Sequence, residues 1–245
     1  MNTSVQTPTT EQIDEIRLLV SQSSRIIGAA GLDDFIWGHA SARDPQGRGA
    51  WIKRSGIGLS EISPEDVHLV SPEGDVLDGE GVAHLEYPIH TEIYKARPDV
   101  GGVVHIHPPH AVALAASGSE LLPVSHQATH FAPGSPPVYA DTSDLIRTMG
   151  LGADVAKQLG DRNAVFLMNH GIAAVGPDLR SATITALLLE EACEQQLRTA
   201  GYGEISTWTD EAEAVEKRDR IYSPGAMANV WSYLLRKLEG PAAAR

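Results

Sequence analysis

One short segment, residues 103–107, constrains the fold most strongly because it combines the pattern of a buried strand with two histidines. Side chains at positions i and i+2 of a strand point to the same face, so His105 and His107 are expected to present both imidazoles to one side. Ile106 then points to the other side, into the core. The spacing fits two ligands of one metal ion, and it also fits two hydrogen-bonded histidines on a solvated strand face.

A third histidine stands at the end of another apolar strand. Residues 164–168 form that strand, and Asn169, His170 and Gly171 follow it as a turn. Functional sites are commonly built on such connections, although an isolated histidine there is more often an ordinary surface residue. Together with His105 and His107, His170 would complete a set of three neutral imidazoles, which leaves coordination positions open as catalytic metal sites do.

The carboxylate of Glu86 is the fourth candidate group. Glu86 stands two residues before Pro88, where a helix is expected to begin. Free N–H groups and the dipole of a helix N-terminus favour a carboxylate, so Glu86 is either a helix cap or a functional group beside the metal. In the functional interpretation it is a ligand or a general acid/base, and its pKa would have to be raised toward neutrality for proton transfer.

Composition narrows the range of functions. The chain has 245 residues with 19 basic and 32 acidic side chains, and its net charge of −13 argues against nucleic acid or an anionic membrane as a partner. Its apolar runs are far shorter than the roughly 20 residues that span a bilayer, and residues 1–12 lack a signal-peptide pattern, which indicates a cytoplasmic protein. A single cysteine, Cys193, allows no internal disulfide. Seven of the ten histidines lie between His84 and His130, which favours metal chemistry.

Helices and short strands alternate along the chain without a regular βαβ rhythm, which indicates a mixed or antiparallel sheet flanked by helices. No linker divides the chain, so we expect one domain over 1–245, with a core at 11–200 and a C-terminal helical segment at 205–240. Helices are expected at 11–30, 88–97, 109–117, 145–159, 178–198 and 211–237, the last broken near 223–225; strands at 35–43, 50–53, 67–70, 75–77, 103–107, 164–168 and 172–175; and an ordered loop at 120–141.

In their order along the chain, these motifs resemble the class II aldolase/adducin family over residues 11–200. The residues that carry the resemblance are Gly38-His39-Ala40-Ser41-Ala42-Arg43, Ser55-Gly56, Glu86, Arg97-Pro98-Asp99-Val100, His105-Ile106-His107-Pro108 and Asn169-His170-Gly171. The resemblance implies an α/β (α+β) fold, a three-layer α/β/α domain around a mostly antiparallel sheet. It also implies one divalent metal ion per subunit, held by His105, His107 and His170, with Glu86 as a further ligand and the catalytic acid/base. Zinc is expected first, and manganese, cobalt or iron also suit three histidines.

The same resemblance implies a homotetramer with active sites between neighbouring subunits. Tyr222, in the C-terminal segment, would then reach the site of a neighbour as a second catalytic residue. The partners implied are a small-molecule substrate and other copies of this chain, with neither nucleic acid nor a membrane.

Departures from the family pattern bear on the substrate. Sugar-phosphate members have asparagine where this chain has His39, and a pair of phosphate-binding serines where it has His84 and Leu85. Leucine cannot donate a hydrogen bond to phosphate, so a non-phosphorylated substrate is expected, with His39 and His84 among its contacts. Ser55 and Gly56 remain from a second anion-binding turn. Beside them Arg54 either helps to hold a carboxylate or is a solvated residue at a strand end.

The leading hypothesis is a metal-dependent carbon–carbon lyase that acts on a hydroxy- or oxo-carboxylate or a hydroxylated aromatic acid, by aldol cleavage or decarboxylation. One alternative is a decarboxylase specific for dihydroxylated aromatic acids such as dihydroxyphthalate. Another is an oxygenase that uses Fe(II) and dioxygen at the same three histidines. Adducin-type members are non-enzymatic scaffolds, but they lack the complete ligand set that this chain retains.

Overall fold

The computed structural model describes residues 9–240, in which eight strands form one sheet. The strands are β1 (His39–Arg43), β2 (Ala50–Lys53), β3 (Val67–Val70), β4 (Val76–Asp78), β5 (Gly102–Ile106), β6 (Val138–Tyr139), β7 (Ala164–Leu167) and β8 (Gly171–Gly176). Their order across the sheet is β4-β3-β2-β1-β5-β8-β7-β6. All neighbours are antiparallel except β6 and β7, which are parallel, so the expected mostly antiparallel sheet is confirmed.

Helices cover both faces of the sheet. They are α1 (Thr10–Ile27), α2 (Tyr87–Ala96), α3 (Pro109–Ala116), α4 (His126–Thr129), α5 (Met149–Leu159), α6 (Leu179–Gly201), α7 (Glu211–Ile221) and α8 (Pro224–Leu238). α1, α3 and α6 lie on one face, and α2 and α5 lie on the other. The three-layer α/β/α fold is therefore confirmed. α8 packs through Trp231 against Ile26 of α1 and Ile184 of α6.

Alternation along β5 decides which face carries the histidines. Val104 and Ile106 are buried in the core beneath α1, α3 and α6. Val103 belongs to the core on the opposite face, beneath α2 and α5. Because side chains alternate, His105 shares the face of Val103, and the expected core position of Ile106 is confirmed.

The ends of several helices follow from capping residues. Thr9 and Gln12 form a reciprocal capping box at the start of α1, as expected. The Asp178 side chain accepts a hydrogen bond from the backbone of Ser181 and caps α6. Ser223 caps α8, so the predicted break between the last two helices is confirmed.

Most boundaries differ from the sequence prediction by one to three residues, and three differences are larger. β1 begins at His39 rather than at 35, because Phe35 and Gly38 have positive φ angles and a turn closes from Trp37 N–H to the Asp34 carbonyl. α5 begins at Met149, where the Thr148 side chain caps it. Segment 120–141 was expected to be a loop, but it contains α4 and β6. No helix within residues 9–240 is long and apolar enough to cross a membrane.

Candidate metal centre

Three histidines and a glutamate from separate parts of the chain meet beside the end of β5. His105 and His107 come from β5 and the residue after it, His170 from the β7–β8 turn, and Glu86 from the start of α2. The Nε2 atoms of His105 and His107 are 3.2 Å apart. The Glu86 carboxylate oxygens lie 3.6 Å from His105 Nε2 and 3.5 Å from His170 Nε2. These four residues, which we call the histidine–glutamate cluster, place one ligand atom each within 4.8 Å of the others.

The β7–β8 turn explains how His170 reaches this position. Asn169 adopts a left-handed conformation with φ of 54°, which asparagine tolerates better than most residues. A Cβ atom on Gly171 would lie 2.4 Å from the Ile106 carbonyl oxygen, so glycine is required where β8 meets the end of β5. The turn therefore brings the His170 ring to 5.2 Å from that of His107, centroid to centroid.

Hydrogen bonds at the back of two rings fix which nitrogen faces the cluster. His105 Nδ1 donates to the Ile172 carbonyl at 2.8 Å, and His107 Nδ1 donates to Asp34 Oδ2 at 2.9 Å. In a neutral imidazole the other nitrogen, Nε2, is then unprotonated and carries a lone pair. Two such lone pairs 3.2 Å apart repel each other, and a cation that both can coordinate removes the repulsion.

The states of His170 and His107 also suit metal binding. Both ring nitrogens of His170 are buried without a hydrogen-bond partner in the described structure. Burial is the main cause that lowers the pKa of His107 to about 4, which keeps it neutral, the form that binds metals. The cluster can therefore bind a divalent metal ion.

Glu86 is the N-cap residue of α2 by position, but its side chain makes no capping hydrogen bond. Oε1 instead accepts a bond of 2.8 Å from the backbone N–H of Ile146, so the helix-cap interpretation is wrong. Burial alone would raise the pKa of Glu86. Hydrogen bonds and positive charge from the facing nitrogens of His105 and His170 outweigh burial and hold that pKa well below its usual range. Where those nitrogens are unprotonated, a bound cation supplies the same stabilisation of the carboxylate. This direction is opposite to the raised pKa expected from sequence, and an ionised carboxylate suits a metal ligand.

Two of the predicted substrate contacts lie beside the cluster. His39 pairs directly with His105 across β1 and β5, and their ring centroids are 5.0 Å apart. The His84 ring lies 4.0 Å from that of His39. Burial, aided by the positive charge of Lys53, lowers the pKa of His84 to about 3, so this imidazole is neutral.

The other predicted contacts follow the end of β2. Arg54 Nε donates to Asp66 Oδ1 at 2.9 Å in a partly exposed ion pair. Ser55 N–H donates to the Val82 carbonyl, so the Ser55-Gly56 turn lies against the segment that leads to His84. A role for Arg54, Ser55 and Gly56 in substrate binding stays a prediction.

Tyr222 lies away from the cluster within its own chain. Its hydroxyl donates to the His126 carbonyl at 2.9 Å, and its ring packs edge-on against His130. It lines a cavity of about 770 Å³ that also touches Val100 and Gly176, next to the opposite ends of β5 and β8. Its role in the site of a neighbouring subunit stays a prediction.

Sequence reasoning missed four residues that contact this region. Asp34 binds His107 from 73 positions away, and no local pattern marks it. His90 hydrogen-bonds to His39 and to Ser41, and Ser41 hydrogen-bonds in turn to Tyr94. The one available signal was the placement of His39 and Ser41 two residues apart on a strand, which puts both on one face.

Comparison with known proteins agrees with this geometry. The family model described as Class II Aldolase and Adducin N-terminal domain matches residues 19–197. A 3,4-dihydroxyphthalate decarboxylase of Rhodococcus jostii (strain RHA1) is 30% identical over 212 residues, 82% of this chain and 87% of the relative. A 4-hydroxy-3-prenylphenylpyruvate oxygenase/4-hydroxy-3-prenylbenzoate synthase of Streptomyces roseochromogenus subsp. oscitans is 33% identical over 151 residues, 60% of this chain and 53% of the relative.

Among solved structures, L-fuculose 1-phosphate aldolase from Glaciozyma antarctica PI12 superimposes with a TM-score of 0.82 at 25% identity, over 96% of this chain and 94% of that chain. Decarboxylases and aldolases are both lyases, so the expected enzyme of the carbon–carbon lyase class is confirmed. The chain belongs to the class II aldolase and adducin family.

Proposed function

We propose that this protein is a divalent-metal-dependent lyase that cleaves a carbon–carbon bond in a non-phosphorylated hydroxylated acid. The single observation that carries the proposal is the pair of inward-facing Nε2 lone pairs of His105 and His107, beside the ionised carboxylate of Glu86. Decarboxylation of a dihydroxylated aromatic acid is the reaction we favour, because the decarboxylase relative acts on such an acid and matches most of this chain. Aldol cleavage of a hydroxy-oxo acid is the other reaction of the same class.

The proposed ligands are His105, His107 and His170, with Glu86 as a fourth, and zinc is the metal we expect first. Manganese, cobalt and iron suit the same donors. A bound divalent ion supplies Lewis acidity, which stabilises negative charge on a substrate oxygen while the carbon–carbon bond breaks.

Glu86 is the proposed proton carrier. Its carboxylate would accept the proton of a substrate hydroxyl group once substrate oxygens have replaced it among the metal ligands, because the positive charge that holds its pKa low is then shared with the substrate. In a decarboxylation, the electron pair of the broken bond stays on the ring carbon, carbon dioxide leaves, and Glu86 returns its proton to that carbon. The Ile146 N–H bond to Oε1 holds the carboxylate in one orientation during both transfers. Glu86 is only 3% exposed, which keeps competing water away from the transferred proton.

The absence of a phosphate group from the substrate is supported by the two residues that precede Glu86. The Leu85 side chain is exposed and has no hydrogen-bond donor. The His84 imidazole is buried and neutral, because burial holds its pKa at about 3. Leu85 therefore offers a phosphate group no side-chain donor, and neutral His84 offers it no positive charge.

An anaerobic activity screen on metal-reconstituted protein tests the proposal. Zinc, manganese and cobalt forms are compared on dihydroxylated aromatic carboxylates and on non-phosphorylated hydroxy-oxo acids. Carbon dioxide release from the aromatic acids supports the decarboxylase, and pyruvate or aldehyde release from the oxo acids supports the aldolase. His107→Ala should abolish turnover. The control His126→Ala, which removes an exposed histidine outside the cluster, should not.

An oxygenase is the second candidate, and the relative named an oxygenase favours it. Such an enzyme would use iron at the same three histidines. No turnover under anaerobic conditions, with turnover restored only by Fe(II) and air, would overturn the lyase proposal in favour of the oxygenase.

A further inference from the structure

A chain of four buried polar side chains leads away from the candidate metal centre into the layer between the sheet and α2. His39 and Ser41 lie two residues apart on β1, and His90 and Tyr94 lie four residues apart on α2. The first three are completely buried and Tyr94 is 5% exposed. The contacts run His39 Nδ1 to His90 Nε2 at 2.6 Å, His90 Nδ1 to Ser41 Oγ at 2.6 Å, and Ser41 Oγ to the Tyr94 hydroxyl at 2.8 Å.

The direction of each hydrogen bond follows from counting protons, starting at the far end. The Tyr94 hydroxyl also lies 2.9 Å from the backbone carbonyl oxygen of Ser41, which can only accept, so the one phenolic proton is used there. The contact between the Tyr94 oxygen and Ser41 Oγ therefore requires the proton of Ser41. Ser41 Oγ is left as an acceptor toward His90, so His90 carries its proton on Nδ1.

The same count fixes the state of His39. Both rings are completely buried and hydrogen-bond only to neutral groups, so each is neutral and has one proton. His90 Nε2 is consequently an acceptor, and His39 Nδ1 donates to it. His39 Nε2 remains as a bare lone pair, buried and without a partner in the described part of the chain. A ring nitrogen of His39 lies within 4.8 Å of ligand atoms of His84 and Glu86.

We propose that His39 is a specificity-determining residue whose Nε2 accepts a hydrogen bond from a hydroxyl group of the bound substrate, and that His90, Ser41 and Tyr94 are the residues that position its proton. A buried acceptor needs a donor. A carboxylate or phosphate oxygen at this point would face a lone pair and be repelled. The substrate therefore places a hydroxyl group, and not its ionised acid group, against His39. This inference rests on the proposed function, because it assumes that substrate binds at the histidine–glutamate cluster.

A second metal ion is the other species that a bare imidazole nitrogen can bind. His39, His84 and Glu86 do place ligand atoms close together. Their one carboxylate is shared with the first cluster, however, and the positive charge of Lys53 acts on both imidazoles. The local charge therefore favours a neutral hydrogen-bond donor over a second dication.

Nitrogen-15 solid-state NMR of the full-length zinc-loaded protein, labelled at histidine, tests the proton position directly. Protonated and unprotonated ring nitrogens give separate signals, and the signals that disappear in His39→Asn identify that ring. We expect His39 to be protonated at Nδ1. In Tyr94→Phe, Ser41 loses its acceptor and donates to His90 Nδ1 instead, so His39 should change to the Nε2-protonated form. Tyr139→Phe is the matched control, because it also removes a buried tyrosine hydroxyl, and that hydroxyl has no partner in the described structure.

Probe binding tests the consequence for specificity. The dissociation constants of 3,4-dihydroxybenzoate and its two monomethyl ethers are measured by calorimetry on the same zinc-loaded proteins. The preference is the ratio of the dissociation constant of a monomethyl ether to that of 3,4-dihydroxybenzoate. For at least one of the two ethers, this ratio should fall about tenfold in Tyr94→Phe and remain unchanged in Tyr139→Phe. Because both variants retain the metal ligands, the difference between them isolates the contribution of His39.

Several outcomes would overturn the inference. They are Nε2-protonated His39 in the wild-type protein, unchanged tautomers in Tyr94→Phe, an undiminished preference for the hydroxyl in that variant, or no binding of the dihydroxy probe. Two zinc ions per chain, with one lost in His39→Asn, would replace it with a second metal site. Failure of the proposed function is distinguishable, because it would appear as an inactive enzyme in the substrate screen while the tautomer result stands.

Discussion

His105 and His107 each use one ring nitrogen for a protein acceptor and leave the other for the cluster. The Ile172 carbonyl and the Asp34 carboxylate are those acceptors, and they set the ring orientations before any ligand binds. Outer hydrogen bonds of this kind commonly orient metal-binding histidines and strengthen their binding. In the proposed function the three histidines hold the metal and Glu86 carries the proton, so the two roles belong to different residues.

That separation predicts different results for two variants. Glu86→Gln keeps all three imidazoles, so the metal content should stay near that of the wild type while kcat falls by about 100-fold or more. His107→Ala removes a ligand and should lose both metal and turnover. Metal content is measured by atomic emission and kcat by product release, with the exposed Glu80→Gln as the control for loss of a carboxylate. Full activity in Glu86→Gln would contradict the proton-carrier role.

At the scale of the elements, the turn between β1 and β2 depends on one buried carboxylate. Asp44 is 1% exposed and accepts hydrogen bonds from Arg48 Nη2 at 2.7 Å, Arg48 Nε at 3.0 Å and Trp51 Nε1 at 3.0 Å. It also accepts from the backbone N–H groups of Gln46 and Arg48. The turn therefore ties β1, which carries His39, to β2, which carries the buried Lys53.

This carboxylate should make stability depend on pH. Burial alone would raise the pKa of Asp44, but its bonds to Arg48 and Trp51 lower that pKa below the unfolded value of about 3.9. Its contribution is therefore fully present above the unfolded pKa and is lost as pH falls through the folded one. Asp44→Asn should lower the free energy of unfolding by about 2–3 kcal/mol at pH 7, and the difference should shrink toward pH 3.

Urea unfolding at several pH values measures that difference. The control is Asp141→Asn, which removes the charge of an exposed aspartate. A destabilisation by Asp44→Asn that stays constant from pH 7 to pH 3 would show that the charge of Asp44 is not its cause.

Local signals explain why many elements could be predicted from sequence. β2 and β3 were predicted residue for residue, because turn residues bound each short apolar run. The caps at Thr9, Asp178 and Ser223 depend on contacts within three residues, so their side chains alone mark the helix starts.

The parts that could not be predicted depend on contacts between distant positions. The bond between Asp34 and His107, and that between His39 and His90, exist only because the sheet and α2 bring these positions together. The strand β6 has only two residues, too few for a recognisable pattern, and it is a strand because the fold places it beside β7. For the same reason the sequence predicted the set of candidate ligands but not the direction of the pKa shift at Glu86, which depends on the neighbouring rings.

At the scale of the whole molecule, exposed apolar side chains lie close in sequence to two residues of the candidate metal centre, Asp34 and Glu86. Phe35 is 79% exposed and Trp37 is 49% exposed, and they lie one and three residues after Asp34, which binds His107. Leu85 is 63% exposed, directly before Glu86. Large apolar side chains at such positions are typical of surfaces that another chain covers. They agree with the homotetramer, with active sites between subunits, that the family resemblance implies.

Sedimentation velocity tests that assembly. The wild-type protein should sediment at about four times the 26.2 kDa mass of one chain. The double variant Phe35→Ser/Trp37→Ser should sediment as a smaller species, because it removes two large apolar contacts, yet it should still bind zinc, because every candidate ligand is retained. Tyr202→Ser is the control, since it removes a side chain that is 96% exposed at the end of α6. A wild-type protein with the mass of one chain would contradict the tetramer, and a double variant with unchanged mass would place the subunit contact elsewhere.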